Sequence, residues 1–354
     1  MQPAYKVEVF TRFFDFKSVV VIKSPEIYFD YLTLEKAEIQ AAKNHIVIEK
    51  GDFAHVTDFA GNTVYQGIVT DYEHQKNTLT ISLSPLLSLF DLTVTYDRTE
   101  LQAGALEAFI AGIITDTYIS NPDTLQNIPG LSVQTTTSTT NTALNIKSNV
   151  HEFYDIITKA FTMYGIVVSV VLIPQGKSIQ VTVGKPTMSP ITIEADLPNV
   201  LEKNIVIGDH YGQINKITLI NKLDEAERVT YYLHNDGKID TADADRVVPV
   251  FPAVEYVESA EIEDFAQDAD QRAKEGLARQ KHDNLIELTY QRADGIISTD
   301  AMAIGTPVTI FDPPQAYNSI LTGYEQGPLA TKLVFGNIRT ELTKKLILER
   351  RGSR

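Results

Sequence analysis

Residues 49–73 read EKGDFAHVTDFAGNTVYQGIVTDYE, and a weaker copy, AIGTPVTIFDPPQAYNSILTGYE, stands at residues 303–325. Each copy opens near a glycine (Gly51, Gly305), runs through an alternating strand, turns, and climbs back through a β-branched strand. The return strands align without a gap, Ile68-Val69-Thr70-Asp71-Tyr72-Glu73 against Ile320-Leu321-Thr322-Gly323-Tyr324-Glu325. Ile68 and Ile320 are 252 positions apart and the two glycines 254, so the intervening loop is two residues shorter in the second copy. A hairpin repeated this far apart in one chain predicts two similar β-domains.

Around the first copy the chain keeps to strand patterns. Residues 4–23 and 45–49 read as strands, with Tyr5 to Phe10 alternating and Ser18 to Ile22 β-branched. Gly61-Asn62 supplies the hairpin turn, and Lys76-Asn77 a second turn before the strand at 78–83. Strands this dense predict a small antiparallel barrel or sandwich over residues 1–97.

From Leu101 the period becomes helical. Leu101, Ala105, Leu106, Phe109, Ile110, Ile113 and Ile114 share one face, and the helix stops before Asn121-Pro122. Residues 135–142, TTTSTTNT, read as a surface loop or strand edge. A second helix is expected to be capped by Asn149, with Glu152 at the third helical position, a stripe of Phe153, Ile156, Ile157, Phe161 and Tyr164, and Gly165 closing it. A hairpin follows, 166–173 and 178–183 across Pro174-Gln175-Gly176. Helices plus hairpin make residues 98–199 an α+β middle domain.

Residues 200–354 return to strands, at 205–207, 214–220 and 228–233, with Asn235-Asp236-Gly237 as a turn and a strand at 247–250. A helix over about 260–281 carries Glu261, Glu263, Asp264, Asp268 and Asp270 early, and Arg272, Lys274, Arg279 and Lys281 late, which complements its dipole. Its seam of Phe265, Ala269, Ala273 and Leu277 suits lying flat on a sheet. Strands resume at 284–290, in the second hairpin and at 332–335. The predicted fold class is mainly β with an α+β insert: two similar antiparallel β-barrel domains flanking the mixed middle domain.

The net charge of −15 argues against a nucleic-acid clamp, which needs a basic face to displace counterions. The absence of cysteine excludes disulfides, thiolate metal sites and thiol nucleophiles. No segment has the apolar length of a membrane helix, and the charged N-terminus does not read as a signal peptide, so the expected place of synthesis is a cytoplasm.

Candidate chemistry is sparse. The histidines at 45, 55, 74, 151, 210, 234 and 282 are dispersed, and no pair has the i, i+4 spacing of a zinc helix. Gly176-Lys177-Ser178 looks like the end of a phosphate loop, but Val171 stands where the first glycine belongs, and the tripeptide falls in a hairpin turn. Asp236, Asp240, Asp243 and Asp245 could wrap a hard cation, yet the calcium-loop order is missing, so a turn and a solvated acidic loop are expected. A glycosidase acid pair cannot be singled out among the 46 acidic residues. No catalytic, cofactor or metal residue is therefore assigned, and the chain reads as non-enzymatic.

The duplicated hairpin at 49–73 and 303–325, the helix–hairpin at 149–183 and the long helix at 260–281 together resemble the baseplate hub and tail-tip proteins of bacteriophages. The similarity extends to the N-terminal part of tail-associated lysins, to the contractile-phage hub protein and to Listeria-type prophage tail proteins. The resemblance implies a structural protein of the virion tail tip or baseplate, assembled in the bacterial host cytoplasm. It implies a homotrimeric, pseudo-six-fold ring that joins the six-fold tail tube to a three-fold tip or spike and passes DNA. Expected partners are thus a distal tail or tube hexamer and a tip protein, without sequence-specific nucleic-acid binding or membrane insertion. Tail-associated lysins carry a C-terminal peptidase or wall-binding extension, whereas this sequence runs about 30 residues past the second hairpin to Arg354, so the expectation is that wall-degrading activity is absent or belongs to another protein. A tail-associated wall hydrolase and a receptor-binding tip protein stay open as alternatives.

Overall fold

The computed structural model describes residues 5–22, 27–42, 46–95, 105–137, 140, 150–208, 215–235, 238–248, 256–260, 265–278, 282–291, 303–327 and 329–339. The fold is mainly β, with few helices.

The first seven strands are β1 (Tyr5–Phe10), β2 (Phe16–Ile22), β3 (Ile27–Asp30), β4 (Ala37–Ala42), β5 (Phe53–Asp58), β6 (Thr63–His74) and β7 (Thr78–Pro85). All but β3 form one antiparallel sheet in the order β2-β1-β5-β6-β7-β4, and its outer strands β2 and β4 lie side by side. Alternation explains the core: Tyr5, Val7 and Val9 of β1, Ile39 and Ala41 of β4, and Leu79, Ile81 and Leu83 of β7 point inward together. Residues 46–49 are not a strand; Ser18 holds this segment instead, exchanging hydrogen bonds between its hydroxyl and the backbone N–H and C=O of Val47.

The middle region contains β8 (Thr93–Thr95), α1 (Leu106–Tyr118), β9 (Leu131–Thr135), β10 (Val150–Glu152), α2 (Phe153–Tyr164), β11 (Val167–Ile173) and β12 (Ser178–Gly184). In α2, Phe153, Ile156, Ile157, Ala160 and Phe161 are buried at helical spacing. Each of the larger side chains contributes about 1.5–3 kcal/mol by burial. Gly165 ends the helix in the left-handed conformation, as expected. The start differs from expectation. Val150–Glu152 is extended and pairs with β8, so Glu152 precedes the helix, and its carboxylate accepts a hydrogen bond from the Thr93 hydroxyl at 2.7 Å. Strand pairing has displaced the capping box, and Asn149 lies outside the described residues. The expected hairpin is β11–β12; β9 adds to it in parallel.

The last part contains β13 (Ile191–Glu194), β14 (Val200–Ile207), β15 (Lys216–Asn221), β16 (Arg228–Leu233), β17 (Ile239–Asp240), β18 (Tyr256–Ala260), α3 (Phe265–Ala278), β19 (Asn284–Gln291), β20 (Pro307–Asp312), β21 (Gln315–Gln326) and β22 (Ala330–Phe335). A second sheet runs β13-β20-β21-β22-β19-β14, and β3 joins it as a seventh strand on β21. Its core includes Ile286, Leu288, Ile310, Leu333 and Phe335. Between β14 and β19 the chain makes a separate four-stranded sheet, β17-β16-β15-β18, on which Ala269, Ala273 and Leu277 of α3 pack, as their seam predicts. The acidic Glu261, Glu263 and Asp264 and the basic Arg279 and Lys281 lie outside the described residues.

Candidate functional site: the duplicated hairpin and the strand it receives

The two copies of the hairpin share their hydrogen bonds as well as their sequence. Gly51 and Gly305 both have φ +87°, a backbone conformation that a Cβ disfavours. The Gly51 N–H donates to Val69 O and the Gly305 N–H to Leu321 O, each at 2.8 Å. In return, Val69 N–H donates to Asp52 O at 2.8 Å and Leu321 N–H to Thr306 O at 3.0 Å. Beyond this point both return strands bulge, at Thr70 and at Thr322. The two threonine hydroxyls then donate across to matching carbonyls, Thr70 to Ser82 O at 3.3 Å and Thr322 to Val334 O at 3.0 Å.

The correspondence extends to strand order. Taken along the chain, β1, β2, β4, β5, β6 and β7 answer to β13, β14, β19, β20, β21 and β22. The runs β5-β6-β7-β4 and β20-β21-β22-β19 are antiparallel throughout. Next in line, β2 lies beside β4 as β14 pairs with β19, and both run opposite to that neighbour. The exception is the sixth place: β1 is antiparallel to β5, whereas β13 is parallel to β20. In each unit the chain leaves the sheet between the second and third strands, through β3 in the first and through the α3 sheet in the second.

Accessory contacts break the likeness. β3 pairs with the far half of β21, Gly323 opposite Asp30 and Tyr324 opposite Phe29, whose rings stack at 5.6 Å. The buried carboxylate of Asp30 receives Arg339 Nε at 2.5 Å and Nη2 at 2.8 Å, while Nη1 donates to the carbonyls of Gly336 and Ile338. Arg339 Nη2 also reaches the Thr322 hydroxyl at 2.8 Å, which ties this ion pair to the bulge. Charge assistance makes such forked pairs directional as well as strong. The first sheet is held differently. Lys17 Nζ bridges Glu49 at 3.0 Å and Asp52 at 2.9 Å, and the Gln66 amide makes two 2.8 Å hydrogen bonds to the backbone of Leu172, sealing the free edge of β11. Neither Arg339 nor Gln66 carried a sequence signal, because both act across more than 100 residues.

The residues weighed as chemical candidates are scattered. His55 is buried between Thr63 Oγ1, 3.0 Å from Nε2, and Glu8; burial lowers its pKa, against the pull of the Glu8 carboxylate. His74 lies against the edge of Tyr72, and His282 sits in a turn just before β19. His151 is in β10, and His45 and His210 are outside the described residues. Gly176-Lys177-Ser178 is a hairpin turn, with Lys177 paired to Asp15 at 3.0 Å. In the acidic loop, Asp240 bonds Lys238 Nζ, the Ala242 N–H and His234 Nε2; Lys238 first, then the N–H, draw its pKa down to about 2. Asp236 and Gly237 fall outside the described residues, and Asp243 and Asp245 are exposed. Among the described residues, no three His, Asp or Glu side chains converge on a metal position.

No protein-family model matches the chain, and no curated protein matches its sequence. Solved structures do. A tail protein from Neisseria meningitidis MC58 aligns with a TM-score of 0.55 at 14% identity, over 94% of this chain and 96% of that one. The 43 kDa tail protein of prophage MuSo2 from Shewanella oneidensis gives 0.53 at 13% identity, over 93% and 98%. A chain of the p2 virion baseplate in its activated conformation gives 0.50 at 11% identity, over 94% and 98%. Near-complete coverage in both directions means that the likeness is to a whole architecture. The chain has the fold of phage tail and baseplate proteins.

Proposed function

We propose that the protein is a structural component of a phage or prophage tail, acting as the baseplate hub or tail-tip ring. The observation that carries this reading is the duplicated six-strand unit, with its matched glycines, bulges and threonine bonds. In this reading segments 1–97 and 200–354 each supply one barrel, and 98–199 is the domain between them; β3 and β13 cross those limits. A trimer of such subunits offers six nearly equivalent surfaces, so it meets a six-fold tube on one side and a three-fold tip on the other. The net charge of −15 keeps a central channel from gripping DNA in passage. The protein would work by geometry, without a reaction of its own.

Native mass spectrometry of the purified chain, alone and with its neighbouring tail proteins, tests the ring. A trimer in either sample supports it; a stable monomer that lyses cell walls overturns it. Cryo-imaging of the assembled trimer would show the lumen, and a strongly basic lining would refute the channel argument.

A further inference from the structure

The matching strands β6 and β21 differ at one edge. β21 is paired with β20 over its first half and with β3 over residues 323–326. β6 is paired with β5 over its first half, but among the described residues no strand continues along that side past Val69. In the counterpart of the β3 slot, residues 71–74, the side chains of Asp71, Glu73 and His74 are exposed and Tyr72 is half-buried. Open edges attract strands from other chains, and proteins blunt them with charge.

The residue at the entrance to each slot is different. In β21 it is Gly323, where a Cβ would stand 2.7 Å from the carbonyl oxygen of Phe29 in the incoming strand. In β6 it is Asp71, whose carboxylate accepts the Tyr72 N–H at 2.9 Å and pairs with Lys50 at 3.3 Å. Tyr72 matches Tyr324, the residue opposite Phe29 in the occupied slot. So the first slot has its entrance filled by a Cβ, and one of its edge donors is already bonded by the side chain beyond that Cβ.

We propose that the Asp71/Gly323 difference decides which of two equivalent edges accepts a strand. Glycine opens β21 to β3, and Asp71, held by Lys50, closes β6 to the β3 segment of a second copy. The selectivity rests on the duplicated pairing alone, so it holds whatever the oligomeric state. Its function is to leave each copy of β3 a single place to go, which prevents strand exchange between subunits that carry near-identical edges.

The test uses the full chain and a fluorescent peptide of residues 24–31, SPEIYFDY. Anisotropy titrations are run on wild type, Asp71→Gly and Asp71→Ala, each checked for a native circular-dichroism spectrum. Asp71→Gly is expected to bind the peptide at least about tenfold more tightly than wild type. Asp71→Ala, which keeps the Cβ but frees the Tyr72 N–H, should bind the peptide clearly less tightly than Asp71→Gly. Saturating peptide should also slow exchange of the Tyr72 amide by about tenfold or more in Asp71→Gly alone, as strand pairing of a free edge predicts. Equal affinity of wild type and Asp71→Gly, including none in either, overturns the proposal. Affinity of Asp71→Ala equal to that of Asp71→Gly does so as well.

Discussion

Two sheets of one chain solve the same backbone problem with different supports. In both, a left-handed glycine, a bulge and a threonine hydroxyl fix where the return strand turns away from its partner. Around this shared frame the first sheet is stabilised from outside by Gln66 on the middle region and by Lys17 between two acids. The second is stabilised by a borrowed strand and a buried ion pair. The two units share their backbone geometry and one threonine bond, and differ in most other side-chain contacts.

The largest effect should come from breaking the second sheet's ion pair. Arg339→Ala leaves the fully buried Asp30 carboxylate without its forked partner, a loss of about 3–5 kcal/mol in chemical denaturation. A difference below about 1 kcal/mol would show that β3 is held by packing instead. Gly323→Ala comes next. Its Cβ would press on the Phe29 backbone, so about 1–3 kcal/mol should be lost, whereas Asp71→Ala at the matching exposed place should leave stability nearly unchanged. Similar values for the two would erase the asymmetry between the slots. Gln66→Ala unpairs the N–H and the C=O of Leu172 and should cost about 1–3 kcal/mol, more than Asn318→Ala at the corresponding position, whose bond to Thr309 is exposed.

The smallest effect separates the sheets by pH. His55 and Gln66 face each other across β5 and β6 just where Thr309 and Asn318 face each other in the second copy. Because burial lowers the His55 pKa below its usual 6.5, the folded state resists protonation. The stability this represents is complete above about pH 6.5 and falls as the pH drops through that value towards the folded pKa. His55→Thr should flatten this part of the stability–pH curve, which a urea series at stepped pH would reveal. An unchanged slope would place the titrating group elsewhere.

Much of this frame could be read in the sequence, because it depends on local signals. The repeat of Gly51 in Gly305, the α2 stripe ending at Gly165, and the turn between β11 and β12 are all settled by neighbours in the chain. The start of α2 departs from the sequence expectation for a physical reason: Glu152, expected inside the helix, lies in β10, which pairs with β8 some 57 residues away. The parallel pairings β9–β12, β13–β20 and β15–β18 leave no turn between partners to announce them. The passage of β3 into the other sheet was equally silent. Ile27–Asp30 reads as a short strand, and nothing in IYFD tells which edge it will join.

That passage sets an order of events in time. Every strand of the first sheet lies within residues 5–85, so this sheet can close while the ribosome is still making the rest. β3 cannot. Its partner β21 begins at Gln315, and the guanidinium that holds Asp30 belongs to Arg339. Until those residues emerge, β3 has only the first sheet's core to rest Ile27 against and lacks its pairing strand, a partner at the high contact order that makes pairing slow. The pairing of one of the earliest segments thus waits for one of the latest.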